Sequence, residues 1–178
     1  MTDARTRLLD ALMAEAATGG LADRSLRDLA TAAGTSHRML LFHFESRAGL
    51  VSAIVDAVES AQRDLLDELA EQVSSPAELV LALWNRVSSR EMRPFVRLFF
   101  ECVALTGGTG LTDPWLDVAT DVSERLGITL DQTELRLGVA VSRGLLIDVL
   151  ATGDTRQATE SIERFVHMWD PGGSSNDA

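Results

Sequence analysis

Apolar residues in this chain recur every three or four positions almost from end to end, and that spacing constrains the fold more than any other feature. Over residues 3–18, Leu8, Leu9, Leu12, Met13 and Ala16 fall on one stripe, and Gly19-Gly20 stops it. Ser25 caps a short second segment whose apolar face is Leu26, Leu29, Ala30 and Ala33, and Gly34 ends it. Thr35 or Ser36 caps a third segment running to about Phe44. Glu45-Ser46 interrupts, and Ser46 caps a long fourth helix over about residues 47–72, with Leu50, Val51, Ile54, Val55, Val58, Leu65, Leu66 and Leu69 turned inward. At 1.5 Å per residue that helix spans on the order of 40 Å.

The same period continues beyond Ser74-Ser75-Pro76. One helix runs from Pro76 to about Ser89 with Leu79, Leu83, Trp84 and Val87. The next runs from Arg90 to about Thr106 with Met92, Phe95, Val96, Phe99, Phe100 and Val103. Residues 107–110 read as a loop, and Asp113-Pro114 opens a helix from Trp115 to about Leu126. Asp131 caps a nearly all-apolar helix to about Leu150, residues 151–154 turn, and a last helix covers about residues 155–169. The expected fold is all-α with about nine helices: a helix-turn-helix head over 1–46, a helical body over 47–170 and a disordered tail over 171–178.

Composition narrows the function. The chain has 178 residues, 46% apolar and 24% charged, enough to bury a sizeable core. No window approaches the ~18 uninterrupted apolar residues of a membrane span, and the first residues lack a signal-peptide pattern. A cytoplasmic protein that makes no use of a membrane is expected. A single cysteine, Cys102, excludes an intrachain disulfide and a cysteine-rich metal site. No phosphate loop, HExxH or GxSxG is present. Cys102 with a histidine is the one nucleophile–base set involving cysteine, and two of the three histidines lie in the third helix. The expectation is a non-enzyme without metal or cofactor.

Charge is unevenly spread. Net charge is −11, yet residues 1–50 carry six Arg and six Asp or Glu and are neutral. A wholly acidic protein is pushed away from polyanions; here the repulsive charge lies beyond residue 50. Three short helices with a Gly turn between the second and third make a helix-turn-helix pattern. The third begins Thr35-Ser36-His37-Arg38, short, polar and cationic, as entry into a major groove requires. Leu40 and Phe44, four apart, dock it on its neighbours.

Arg38 suits guanine or a phosphate. The hydroxyls of Ser25, Thr35 and Ser36 at helix N-termini suit phosphate oxygens, and Arg47 suits one on the other flank. Arg27 and His37 complete the polar candidates. Met39 reads either as a base contact or as edge packing, Leu41 as a surface residue or a partner for thymine methyls, and His43 as a structural residue or a phosphate contact.

The run LRDLATAAGTSHRMLLFHFESRAGL resembles the DNA-binding signature of the TetR family of bacterial transcription regulators. The elements that carry the resemblance are Leu29-Ala30, Gly34, Ser36, Leu40, His43-Phe44 and Leu50, within residues 5–55. Two positions depart from the family pattern. Leu41 stands where a phosphate-holding tyrosine is usual, and Arg47 stands where lysine is usual.

The resemblance implies a double-stranded DNA operator, a homodimer, and a small-molecule effector held in the body. It implies a repressor released from a palindromic operator by that effector. The rival reading is a ligand-sensing or protein-interaction protein whose helix-turn-helix no longer reads DNA.

For the effector, the resemblance points to Trp84, Met92, Phe95, Phe99, Cys102, Trp115 and Leu116, whose apolar character suits a hydrophobic ligand. Any single one of them reads more readily as core. For the dimer it points to Leu135, Gly138, Val139, Ser142, Leu145, Leu146 and Val149 with Ile162, Phe165, Val166 and Trp169, a four-helix interface between two copies. Those positions read also as intramolecular core.

Overall fold

The computed structural model describes residues 2–106, 113–127 and 132–169. Among them the chain forms nine α-helices and no strand: α1 (Thr2–Gly19), α2 (Leu26–Ala32), α3 (His37–Phe44), α4 (Arg47–Ala70), α5 (Pro76–Val87), α6 (Arg93–Thr106), α7 (Asp113–Arg125), α8 (Gln132–Thr152) and α9 (Arg156–Trp169). The loop at 107–110, the cap at Asp131 and the tail at 171–178 expected from sequence lie outside the described residues.

Serine caps explain most of the starts. Ser25 accepts from the Asp28 amide while the Asp28 carboxylate accepts from the Ser25 amide, a complete capping box. Ser36 caps α3 through the Met39 amide, and Ser75 caps α5 through the Glu78 amide with Pro76 in the first turn. The Ser46 hydroxyl accepts from the Gly49 amide at 3.0 Å, at the start of α4. Helix α6 begins at Arg93 rather than Arg90. Pro94 suits a first turn, and the Met92 amide closes a four-residue turn onto the Ser89 carbonyl just before it.

Packing groups the chain into two compact units. The first holds residues 1–60 and 94–109; the second holds 61–93 and 110–178. A division by sequence at residue 46 therefore differs from the division by packing: the first part of α4 and nearly all of α6 pack with α1–α3. Leu12, Leu21, Leu29, Leu40, Leu50, Ile54 and Leu98 are the most deeply buried large residues of that first unit.

In the second unit, α9 packs on α5 and α8 around Trp84, Val149, Ala158, Ile162 and Val166. The Trp84 indole N–H donates to the Thr159 hydroxyl at 2.9 Å, so the buried ring keeps its hydrogen bond. Leu66, Leu79 and Val122 form a second cluster, and Leu116 meets Leu135 between α7 and α8. Arg93 donates to the Gly153 carbonyl at 3.1 Å, tying the start of α6 to the turn between α8 and α9.

Candidate DNA interface

The turn between α2 and α3 is fixed by backbone chemistry. Gly34 has φ +66°, and the Thr35 amide reaches back to the Ala30 carbonyl at 2.9 Å while Gly34 bonds Thr31 at 3.2 Å. These two bonds are the Schellman pattern, which only a residue tolerating positive φ closes cheaply. With Ser36 capping the next helix two residues later, the turn has the short span of a helix-turn-helix.

Helix α3 is held from inside and from one end. Leu40 and Phe44 are buried, and α3 packs on α2. The Arg5 guanidinium lies 5.1 Å over the Phe44 ring, and its Nε donates to the His43 carbonyl at 3.5 Å. A cation at a helix C-terminus also offsets the negative end of the dipole.

The corner between α3 and α4 is tight. Ser46 donates to the Phe44 carbonyl at 2.6 Å across Glu45, whose φ is +63°. That is a γ-turn on a non-glycine residue, a strained conformation. A Cβ added at Gly49 would collide with the Phe44 carbonyl oxygen, so glycine there lets α4 start this close to α3.

At roughly 100° per residue, Leu40 and Phe44 define the inner ridge of α3, and Arg38, Met39 and Phe42 fall on the outer side. Arg38 is exposed and makes no ion pair or hydrogen bond among the described residues. Met39, Leu41 and Phe42 are 41%, 39% and 65% exposed. His37 and Thr35 are half-buried at the N-terminal end. The His37 and Arg38 amides at the start of α3 have no intrahelical partner, while the Met39 amide is taken by Ser36.

Two of the polar candidates have other employment. The Ser25 hydroxyl donates to Asp28 at 2.6 Å and accepts from its amide at 3.2 Å, which uses the hydroxyl within the capping box. That bonding lowers the Asp28 pKa, first through the Ser25 hydroxyl and then through the Ser25 amide. Arg47 turns its guanidinium to the carbonyls of Leu21 and Ala22, both at 2.9 Å. Arg27 is exposed on α2, and His43 is half-buried with its ring edge-on to Phe42 at 5.0 Å.

Three residues of this region are not among those expected from sequence. Phe42 lies opposite the buried ridge, which the helical period alone reveals. Gly49 and Glu45 form the α3–α4 corner, which only the backbone path reveals.

The effector candidates fall in different units. Phe95, Phe99 and Cys102 belong to the first; Trp84, Met92 and Leu116 belong to the second. Trp84 is core between α5 and α9, and the side chain of Trp115 lies outside the described residues. Burial, and then the neighbouring Glu101 carboxylate, push the Cys102 thiol up to about 11.

Of the dimer candidates, Leu135, Val139, Leu145, Leu146, Val149, Ile162, Phe165 and Val166 pack inside the second unit. Gly138 and Ser142 are half-buried, and the Trp169 side chain is outside the described residues. The apolar residues that α8 leaves outside are instead Leu137, Ala140, Gly144, Ile147 and Ala151. Apolar periodicity alone could not separate the two sides of a helix that is apolar on both.

A head built this way has the helix-turn-helix arrangement. Residues 8–54 match the family profile described as bacterial regulatory proteins, tetR family. Similar solved structures include a TetR-family transcriptional regulator from Pectobacterium atrosepticum, with TM-score 0.69, 18% identity, and coverage of 94% of this chain and 92% of that one. SmeT, the repressor of the Stenotrophomonas maltophilia multidrug efflux pump SmeDEF, has TM-score 0.64 and 18% identity, covering 92% and 88%. The multidrug-binding protein EbrR, complexed with ethidium, has TM-score 0.64 and 23% identity, covering 90% and 96%. Among curated proteins nothing matches significantly. Residues 8–54 are thus similar to the tetR family of bacterial regulatory proteins, and the chain shares the fold of these solved regulators. No helix among the described residues is long and apolar enough to cross a membrane.

Proposed function

We propose that the protein is a homodimeric repressor that leaves a palindromic operator when a small hydrophobic effector binds its body. The observation that carries the DNA reading is Arg38, an unpaired cation on the outer side of a helix whose inner side is anchored. Two such helices from one dimer enter successive major grooves about one helical turn apart. Ser36, Thr35 and His37 stand beside Arg38 and suit the flanking phosphates.

The dimer reading rests on the likeness to the tetR family and on the outer stripe of α8. Leu137, Ala140, Gly144, Ile147 and Ala151 follow a three-four spacing, and Leu137 and Ile147 are 50% and 54% exposed. A Cβ at Gly144 meets nothing within 4 Å in this chain, so its small size serves no intrachain packing. Small residues between large apolar ones suit the close approach of a second helix.

The effector reading rests on the family and on likeness to a multidrug-binding relative, and by linkage the operator weakens effector binding as much as the effector weakens operator binding. The experiment is a mobility shift with the intergenic DNA beside the protein's own gene, then a selection from random sequences. A palindromic site supports the proposal. Failure to select any sequence supports the rival, a head that no longer reads DNA; Leu41 at the usual tyrosine position and the engagement of Arg47 with the backbone are what favour it.

A further inference from the structure

We propose that Phe42 reads thymine methyl groups in the operator, beside the base or phosphate taken by Arg38. The inference rests on the DNA-binding reading above and adds a specificity-determining residue to it. Phe42 falls about 180° from the midpoint of Leu40 and Phe44 at ~100° per residue, so it points as far from the head as any side chain on α3. It is 65% exposed, the most exposed large apolar residue among the described residues of the first unit, and Met39 lies beside it on the same side. Single exposed apolar residues are ordinary. Here the exposed phenylalanine occupies the outermost position of the helix that enters the groove.

The chemistry available there is specific. In the major groove only thymine offers an apolar group, its C5 methyl, and phenylalanine is one of the side chains that pack on it. The ring is also held: His43 stands edge-on to it at 5.0 Å, with planes 77° apart. A restrained ring loses less entropy on contact than a free one. Arg38 lies one turn earlier on the same side, about 6 Å along the axis. The methyl read by Phe42 therefore lies within about two base pairs of the position read or flanked by Arg38.

The test uses the full-length protein and an operator obtained by selection from random sequence. Each thymine is replaced in turn by deoxyuridine, which removes the methyl and leaves the pairing edge intact. The parent protein should bind about fourfold more weakly when the contacted methyl is lost, the worth of one buried methyl-sized group. Phe42→Ala should bind the thymine operator more weakly and be indifferent to that replacement, while Arg38→Ala keeps the sensitivity. Phe42→Leu, which retains an apolar tip, should keep part of it.

Helix content and melting temperature of both Phe42 variants should match the parent, because an exposed ring supports no core. The proposal is overturned if no thymine replacement weakens binding, or if Phe42→Ala remains as sensitive as the parent. Selection of no DNA sequence at all overturns the DNA-binding reading, and this proposal with it. A selected operator with insensitive thymines overturns this proposal alone.

Discussion

Arg47 and Glu101 hold the same corner of the chain by its two chemical sides. Arg47, at the start of α4, donates to the carbonyls of Leu21 and Ala22 at 2.9 Å each. Glu101, in α6, accepts from the amides of the same two residues at 2.6 and 3.3 Å. The corner between α1 and α2 has no helix of its own to satisfy these groups, so two side chains remote in sequence do it. Leu21 is fully buried between them. The carboxylate thus has a place in the head's framework.

Replacing that carboxylate exposes the arrangement's worth. Glu101→Ala should lower unfolding free energy by about 1–3 kcal/mol, the cost of a part-buried amide left without an acceptor. Urea denaturation followed by circular dichroism reads it. A double-mutant cycle with Arg47→Ala should show coupling, since both act on one peptide segment. Strict additivity would mean that the corner does not behave as one unit.

The α3–α4 corner gives a pair of opposite effects. Gly49→Ala should destabilise by about 1–3 kcal/mol, because the new methyl meets the Phe44 carbonyl and the helices must shift apart. Glu45→Gly should stabilise by about 1 kcal/mol, since glycine takes φ +63° without the steric penalty. The sign of the Glu45 change, measured by thermal melting, decides whether that residue is strained.

Cys102 should resist iodoacetamide at neutral pH in the folded protein and react once urea unfolds it. Burial raises its pKa from 9.0 to about 11, so the folded state favours the thiol. A raised folded-state value adds stability that is complete below about 9 and is lost as pH rises toward 11. Cys102→Ala should therefore flatten the alkaline limb of the stability curve.

Acid acts on the capping box in the opposite sense. Asp28 is held below 3.8, so its contribution is present above that pH and is lost as the pH falls through the lowered value. Asp28→Asn should remove this part of the acid dependence, read by titrating stability with both proteins side by side.

For the dimer, Gly144→Arg places a long cation in the middle of the outer α8 stripe. A Cβ there has open space within the chain, so the fold should persist. Sedimentation should then report a monomer where the parent gives a dimer. A parent protein that is already monomeric at micromolar concentration removes the dimer from the proposed function.

Much of this was written in the sequence because the signals are local. Ser25, Ser36, Ser46 and Gly34 mark helix ends through bonds to residues three to five positions away, and a local pattern suffices to read them. Helix α4 ends at Ala70 rather than 72 because Gln72 bonds the Leu69 carbonyl, tightening the last turn. Position on a doubly apolar helix was not legible. Val149 faces α9 and Ile147 faces out, two residues apart, though both are β-branched and apolar. The bond between Glu101 and Leu21 joins residues 80 positions apart, and no spacing rule reaches so far.

The first compact unit is discontinuous along the chain, residues 1–60 with 94–109. That has a consequence for exchange of parts between relatives. A recombination event at residue 46 would deliver Leu21 and Ala22 without Leu50, Ile54 or the Glu101 carboxylate that meets them. Another body joins such a head without loss of stability only if its sixth helix brings a matching acceptor. Residues 94–109 thus belong with residues 1–60, and the two should travel together as a chimaera is built.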